Sequence, residues 1–476
     1  MATTLRRRGV AVTAFALASG TTLAAFGTAA PAGASANHAP AFYQGVTEAN
    51  VLSVALNLPS ALPELPGVPK NLAVNLIGVN GNAVHNTLGT GLRTSSTSVS
   101  SVASGSLVKV LPIPGLSKVL TARLGQDLKD SALPPIAADP LVNLHVGDLA
   151  AKALTGVNAS HSVLVNGKVG DLGQLLDLKA LGKNITLIDA LNQQVDGVSS
   201  QVTDQLDAAL STVQQVLNQT PAGSTAAQTL GALQAALKTV QAKVKSILAN
   251  VGSTAVLTVN TLDASQSIAP AGNAAKSVAG VNLANLNVLN GLVTVKGFVS
   301  QATAIANGRP GGAHASFSGH APIAQVGTPL LTATLDETGI SLSDVQGLPQ
   351  DVTEQVNSAL AQLQDALNTL LNTLGVHLTY VPGHVVEQTS DGKKATAVGP
   401  EYDITVDSPV DKAPLVFVGL GHNTMASVSA AQAPKIVKLP NPQQGALPHT
   451  GANMPLIGGI ALALMIGAAV LRRRIA

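Results

Sequence analysis

The sequence contains no cysteine and no tryptophan, and only three tyrosines and six phenylalanines among 476 residues. Without cysteine there is no disulfide, no thiolate catalysis and no Cys-based zinc or iron–sulfur site. Such a chain cannot be stapled in an oxidising compartment, so packing and backbone hydrogen bonding must hold it together. Aromatic residues make up 2% of the chain while hydrophobic residues as a whole make up 46%. The apolar content is therefore mostly Ala, Val and Leu, which make many small contacts rather than a few large anchors. The scarcity of rings argues against a carbohydrate face of stacked aromatics and against a single-stranded nucleic-acid platform.

Charge is also sparse, and its nominal sign misleads. The net +2 includes Arg6–Arg8 at one end and Arg472–Arg474 at the other, while segments 1–36 and 451–476 carry no acidic residue. Setting both ends aside leaves 21 basic against 25 acidic residues, a net of −4. The basicity belongs to the termini, and a nucleic-acid partner loses its support.

What is present at the N-terminus has the three parts of an export signal. Arg6–Arg8 form a charged start, Val10 to Phe26 an apolar run, and Ala34-Ser35-Ala36 a small-residue site for signal peptidase, recognised at Ala34 and Ala36. Asn37 is then the first mature residue; a second cut after Ala30 is the alternative. General secretion is favoured over twin-arginine export, since no strong motif follows the arginines.

The C-terminus is the most specific feature. It reads Leu447-Pro448-His449-Thr450-Gly451, then an 18-residue apolar stretch from Met454 to Leu471, then Arg472-Arg473-Arg474. At about 1.5 Å per residue the stretch spans most of a ~30 Å hydrocarbon core, and terminal arginines suit the cytoplasmic side. Pro448 keeps the pentapeptide out of a helix and extended enough for an enzyme's cleft. Here the chain resembles the LPxTG-type substrates of Gram-positive sortases, with His at the variable position. The resemblance covers about the last 30 residues and implies cleavage between Thr450 and Gly451. The Thr450 carboxyl would pass to a peptidoglycan amine through the sortase's own cysteine. The chain is the substrate there, and its contact with the membrane is transient. A plain single-pass anchor is the competing interpretation.

Comparison of the chain with itself shows an internal match. Gly197–Asn218 aligns without a gap on Gly347–Asn368 at an offset of 150. Upstream, Ala159–Ser162 echoes Ala315–Ser318, and downstream Val256–Val259 resembles His377–Tyr380 at an offset of 121. The difference of 29 residues corresponds to one inserted helix, so two related units are expected.

Val202, Leu206, Leu210, Val213 and Leu217 recur at helical spacing, as do Leu230, Leu233, Leu237, Val240, Val244 and Leu248. A third stripe runs through Val352, Val356, Leu360, Leu363, Leu367, Leu370 and Leu374, ending at Gly375. Thr220–Gly223 stops the first helix, and Thr225 with Gln228 reads as a capping box for the second. Strands are expected at 51–58, 254–259, 293–296, 314–318, 330–335, 404–407 and 415–419, with a hairpin turn at Asp391-Gly392. Residues 41–138 are expected to form an additional strand-rich layer.

The predicted fold class is α+β: antiparallel sheets with amphipathic helices on one face and two strand–helix–strand units, besides a signal helix and a C-terminal transmembrane helix. The expected organisation is a signal peptide at 1–36 and a strand- and loop-rich region at 37–138. The two units follow at 139–290 and 291–432, then a Pro/Gln spacer at 433–446 and the sorting signal at 447–476.

Chemistry is harder to find. Of ten histidines, His314 with His320 and His377 with His384 lie close in sequence, but neither pair has the i, i+4 spacing of a helical zinc site. No nucleophile elbow and no phosphate-binding loop occurs; Gly308–Gly312 reads as a turn. Asp204, Asp207 and Glu354 fall on polar helix faces, and Thr94–Ser106 reads as exposed strand or loop. The expectation is a wall-attached surface protein with a structural, adhesive or scaffold role, with no catalytic residue, metal or cofactor. Its named partners are signal peptidase, sortase and peptidoglycan. The alternative is a wall-tethered hydrolase acting on polysaccharide or peptidoglycan; a third reading is a ligand- or metal-capture module, which clustering of those histidines would favour. The composition resembles that of exported proteins of high-GC actinobacteria.

Overall fold

Alternation of small apolar and polar residues, repeated through most of the chain, produces strands, and the strands pair antiparallel throughout. The computed structural model describes residues 40–432 apart from 58–70, 89–93, 106–117, 132–135, 139–141, 156, 173–186, 320–322, 337–338 and 346–347. All lie in one compact unit, 1–433; a second, 434–476, falls outside the described residues. The architecture is α+β-like, mainly antiparallel sheet with a few helices.

The first sheet is built from both ends of the described chain. It holds β1 (Phe42–Asn57), β2 (Asn71–Asn86), β3 (Ser95–Gly105) and β4 (Lys118–Arg123). The later strands are β17 (Val376–Val381), β18 (His384–Gln388), β19 (Lys394–Val398), β20 (Glu401–Asp407), β21 (Pro414–Leu420) and β22 (Met425–Ala431). Its order is β17-β20-β21-β1-β2-β3-β4, with β22 joining β1 to the β18–β19 hairpin. Segment 41–138 is thus no separate layer: β1 is an interior strand, flanked by β2 and by β21 and β22.

The second sheet uses the middle of the chain. Its strands are β5 (Gln126–Ser131), β6 (Ile136–Ala138), β7 (Val142–Leu154), β8 (Val157–Asp171), β9 (Ala255–Val259), β10 (Leu262–Ala271), β11 (Ala274–Val288) and β12 (Val293–Ala306). β13 (His314–Ser318), β14 (Ile323–Val326), β15 (Thr332–Asp336) and β16 (Gly339–Leu342) complete it. The order is β16-β15-β14-β12-β11-β10-β8-β7-β5.

Three helices follow the apolar stripes: α1 (Ile188–Gln219), α2 (Thr225–Ala249) and α3 (Gln350–Leu374). Helix α1 begins nine residues before the matched segment, and Ser224 rather than Thr225 caps α2, its side chain accepting from Ala227 N at 3.1 Å. Gly375, at φ 66°, closes α3 in the left-handed region that only glycine enters cheaply. The segment Gly197–Asn218 lies in α1, and its counterpart from Gln350 to Asn368 lies in α3; the two helices pack against each other. Leu206 and Val213 of α1, Leu233 and Val240 of α2, and Leu363 and Leu367 of α3 share one core with the buried faces of both sheets. Asp204, Asp207 and Glu354 are exposed.

Away from the helices the two sheets meet through small and polar residues. Ser96, Ser98 and Ser100 of β3 donate to the carbonyls of Val157, Ala159 and His161 on β8, at 3.4, 2.6 and 2.9 Å. Packed sheets ordinarily stand about 10 Å apart with side chains filling the gap. A serine hydroxyl reaches a facing main-chain carbonyl only when the sheets come closer, which Gly45, Gly81 and Ala83 permit. The stretch expected as exposed strand or loop is therefore a strand with one buried face: Ser98 and Ser100 are both 0% exposed, while Ser95 and Thr97 on its other face are exposed.

Candidate functional site

Strand β20 alternates strictly. Tyr402, Ile404 and Val406 enter the core, which places Glu401, Asp403, Thr405 and Asp407 on the opposite, partly exposed face. Across the β20–β21 pair Asp403 stands opposite Gly419, and Gly419 in turn stands opposite Ser53 of β1. A β-carbon at 419 would lie 3.2 Å from Glu401 Oε1, 3.1 Å from His422 Cβ and 3.0 Å from Phe417 Cε1. Without a side chain there, Glu401, Phe417 and His422 can draw in against the strand.

His422 sits in the turn between β21 and β22, where Gly421 and Asn423 both take positive φ. The turn is fastened to β1: Asn50 N donates to His422 O at 3.2 Å, and Gly421 N to Val51 O at 3.2 Å. Here β1 changes partner, from β22 through Glu48 to β21 from Leu52 onward, and its register with β2 shifts between Asn50 and Leu52. Irregularities of this kind re-aim side chains, and this one brings the imidazole over the carboxyls of β20.

His422 Nδ1 is hydrogen-bonded to Glu401 Oε1, and its ring meets Phe417 edge-on with centroids 5.7 Å apart. With Glu401 ionised, Nδ1 carries the proton, because a carboxylate oxygen only accepts. Glu48 lies on the same side and accepts from Asn50 Nδ2 at 2.9 Å. Asp403 is in hydrogen-bond contact with Glu401, yet its Oδ1 is buried without a hydrogen-bond partner. Burial, then the hydrogen bond and charge of Glu401, push the Asp403 carboxyl up to about 8. Burial pulls the His422 pKa down, but the hydrogen bond and charge of Glu401, helped by the charge of Glu48, outweigh it and raise it overall.

A carboxylate oxygen from each of Glu401 and Asp403 and a ring nitrogen of His422 lie within 4.8 Å of one another. Among the described residues this is the one group of three or more such side chains close enough to share an ion. It was not legible in the sequence, from which no metal was expected. The alternation of β20 could have placed Glu401 and Asp403 together, but nothing local connects them to a histidine beyond the next strand.

The histidines singled out from sequence are not in this group. His377 pairs with Asp407 at 2.9 Å, His314 and His384 are exposed at the starts of β13 and β18, and His320 lies outside the described residues. Also outside them are Ala34 and Ala36, the motif Leu447, Pro448, His449, Thr450 and Gly451, and Arg472, Arg473 and Arg474. Among the described residues no helix is long and apolar enough to cross a membrane; the apolar stretch 454–471 is not among them. No protein-family model matches the chain, and no curated protein matches its sequence.

Proposed function

We propose that this chain is an exported surface protein, joined to peptidoglycan through Thr450 by a sortase, whose folded part has a structural, adhesive or scaffold role. The observation that carries the reading is the order of three features at the C-terminus: Leu447–Gly451, the apolar stretch 454–471, and Arg472–Arg474. Physically these are an extended cleavage segment, a membrane stop and a cytoplasmic charge anchor. The export signal ending at Ala36 supplies the matching entry into the secretion route. Two related strand–helix–strand units, with helices on one sheet face, belong to the same reading. The offset-150 match, with a long helix over each matched segment, supports them.

The carboxyl pair on β20 does not favour a glycosidase acting on polysaccharide or on the glycan of peptidoglycan. Glycoside hydrolysis uses carboxyls about 5–5.5 Å apart in retaining enzymes, and about 6.5–9.5 Å apart in inverting ones. Glu401 and Asp403 are instead in hydrogen-bond contact, which leaves no room for a sugar between them.

The test is mass spectrometry of protein released from purified cell walls by a muralytic enzyme, compared with a Thr450→Ala variant. The expected wild-type product begins at Asn37 and ends at Thr450 joined to a peptidoglycan fragment, and the variant is missing from the wall. Recovery of an intact tail through Arg474, extractable by detergent alone, would make the chain a single-pass membrane protein instead.

A further inference from the structure

We propose that Glu401, Asp403 and His422 form a binding site for a divalent first-row transition cation, of which Zn2+ is the natural probe. The site is independent of how the chain is anchored, and it lies where β1 exchanges β22 for β21.

Three observations converge. The donor set is two carboxylate oxygens and one imidazole nitrogen, with ligand atoms already within 4.8 Å of one another. Around a four-coordinate zinc with bonds near 2.0–2.1 Å, ligand atoms stand about 3.3 Å apart. Side-chain shifts of about an ångström therefore close the set. Second, Asp403 Oδ1 is buried with no hydrogen-bond donor supplied to it. Carboxylate oxygens are acceptors only, so the Glu401–Asp403 contact holds only while a proton or a cation sits between them. Third, Gly419 lets Glu401 and His422 come together over the strand, since a β-carbon there would press on Glu401 Oε1 and on His422 Cβ.

Glu48 adds a third carboxylate to the neighbourhood, against the single imidazole. Once the proton shared by Glu401 and Asp403 has left, three carboxylates beside one histidine are poorly compensated, and a dication takes that proton's place. The imidazole selects the class: it suits zinc, nickel or iron, whereas calcium and magnesium prefer sites made wholly of oxygen. Binding releases to solvent the proton shared by the two carboxyls and the proton on His422 Nδ1, with no change of oxidation state. Water completes the coordination on the exposed side, and Glu48, oriented by Asn50, is placed to accept a hydrogen bond from that water.

The competing explanation is that the Glu401–His422 contact merely fastens the β21–β22 turn, and the experiment separates the two. The full chain, without a histidine tag and freed of metal by a chelator, is titrated calorimetrically with Zn2+ alone. One ion per chain is expected, with affinity at least tenfold weaker in His422→Ala and in Asp403→Asn and unchanged in His377→Ala. Zinc X-ray absorption on the wild-type protein keeps the test valid even if those variants fail to fold. The expected first shell holds a single imidazole with oxygen ligands near 2.0 Å. Absence of a stoichiometric site, unchanged affinity in folded His422→Ala, or a shell with two or more imidazoles would overturn the proposal.

Discussion

Thr47 of β1 donates its hydroxyl proton to Gln266 Oε1 of β10, 2.6 Å away in the facing sheet. Gln266 Nε2 in turn lies 2.6 Å from Asn158 Oδ1, 2.9 Å from Ser160 Oγ and 3.2 Å from Ser98 Oγ. Asn158 Nδ2 continues the network to the Thr97 carbonyl of β3. A glutamine 4% exposed is costly unless its amide is satisfied, and here both ends are. With few rings to fill the gap, the sheets close until polar side chains of one reach the other.

Removing the amide at the centre of this network should therefore be far more damaging than removing a hydroxyl that has no partner. Gln266→Ala leaves Thr47, Asn158 and Ser160 without their shared partner and is expected to cost about 2–3 kcal/mol. Ser277, 0% exposed, has a hydroxyl with no hydrogen-bond partner, so Ser277→Ala should be neutral or stabilising by up to about 1 kcal/mol. Urea unfolding midpoints measure both; equal losses would show that the network contributes nothing specific.

Gly81 is needed for space rather than for backbone freedom. A β-carbon there would lie 2.5 Å from both Asn158 Oδ1 and Gln266 Oε1. Gly81→Ala must push the sheets apart or break the network, at about 1–3 kcal/mol. Gly231, on α2 with nothing within 4 Å of a β-carbon, supplies the contrast. Gly231→Ala should gain up to about 1 kcal/mol from helix propensity, and thermal melts of the two variants should move in opposite directions.

The helices divide their stability unequally between core and cap. Leu363 of α3 is 0% exposed, and Leu363→Ala should cost about 2–5 kcal/mol through lost burial and the cavity left behind. Ser224→Ala removes one capping bond from α2 and should cost about 1 kcal/mol. Chemical denaturation ranks them, and a cap loss as large as the core loss would contradict that division.

The Asp403 carboxyl gives the metal-free protein a pH signature. Its folded pKa of about 8 stands above the ordinary 3.8, so the folded state holds a proton that the unfolded chain releases. The stabilisation is full below pH 3.8 and is lost as pH rises through about 8. Carboxyl-carbon NMR should find one Asp titrating far above the rest. Glu401→Gln should lower that midpoint while leaving it above the usual range, because burial is the larger cause. A midpoint near 4 in the wild type would refute the buried pair.

Much of the helical structure was legible because its signal is local. The stripes of Val202–Leu217, Leu230–Leu248 and Val352–Leu374 state a 3.6-residue period within each segment, and Gly375 marks its own stop. Individual strands and the Asp391-Gly392 hairpin were readable from alternation and turn chemistry for the same reason. The terminal motifs, too, are linear patterns, read as residues in order.

What sequence order could not state is which surfaces face each other. Ser96, Ser98 and Ser100 look like solvent-exposed low complexity until β8 is laid against them, because burial of a hydroxyl depends on an acceptor 61 residues away. The Glu401–Asp403–His422 group likewise exists only because β1 changes partner at Asn50 and holds the His422 turn in place. Period and turn propensity are properties of neighbouring residues, and they determined the elements. Pairing between distant strands determined the buried polar interface and the candidate cation site, since both consist of contacts that no local pattern encodes.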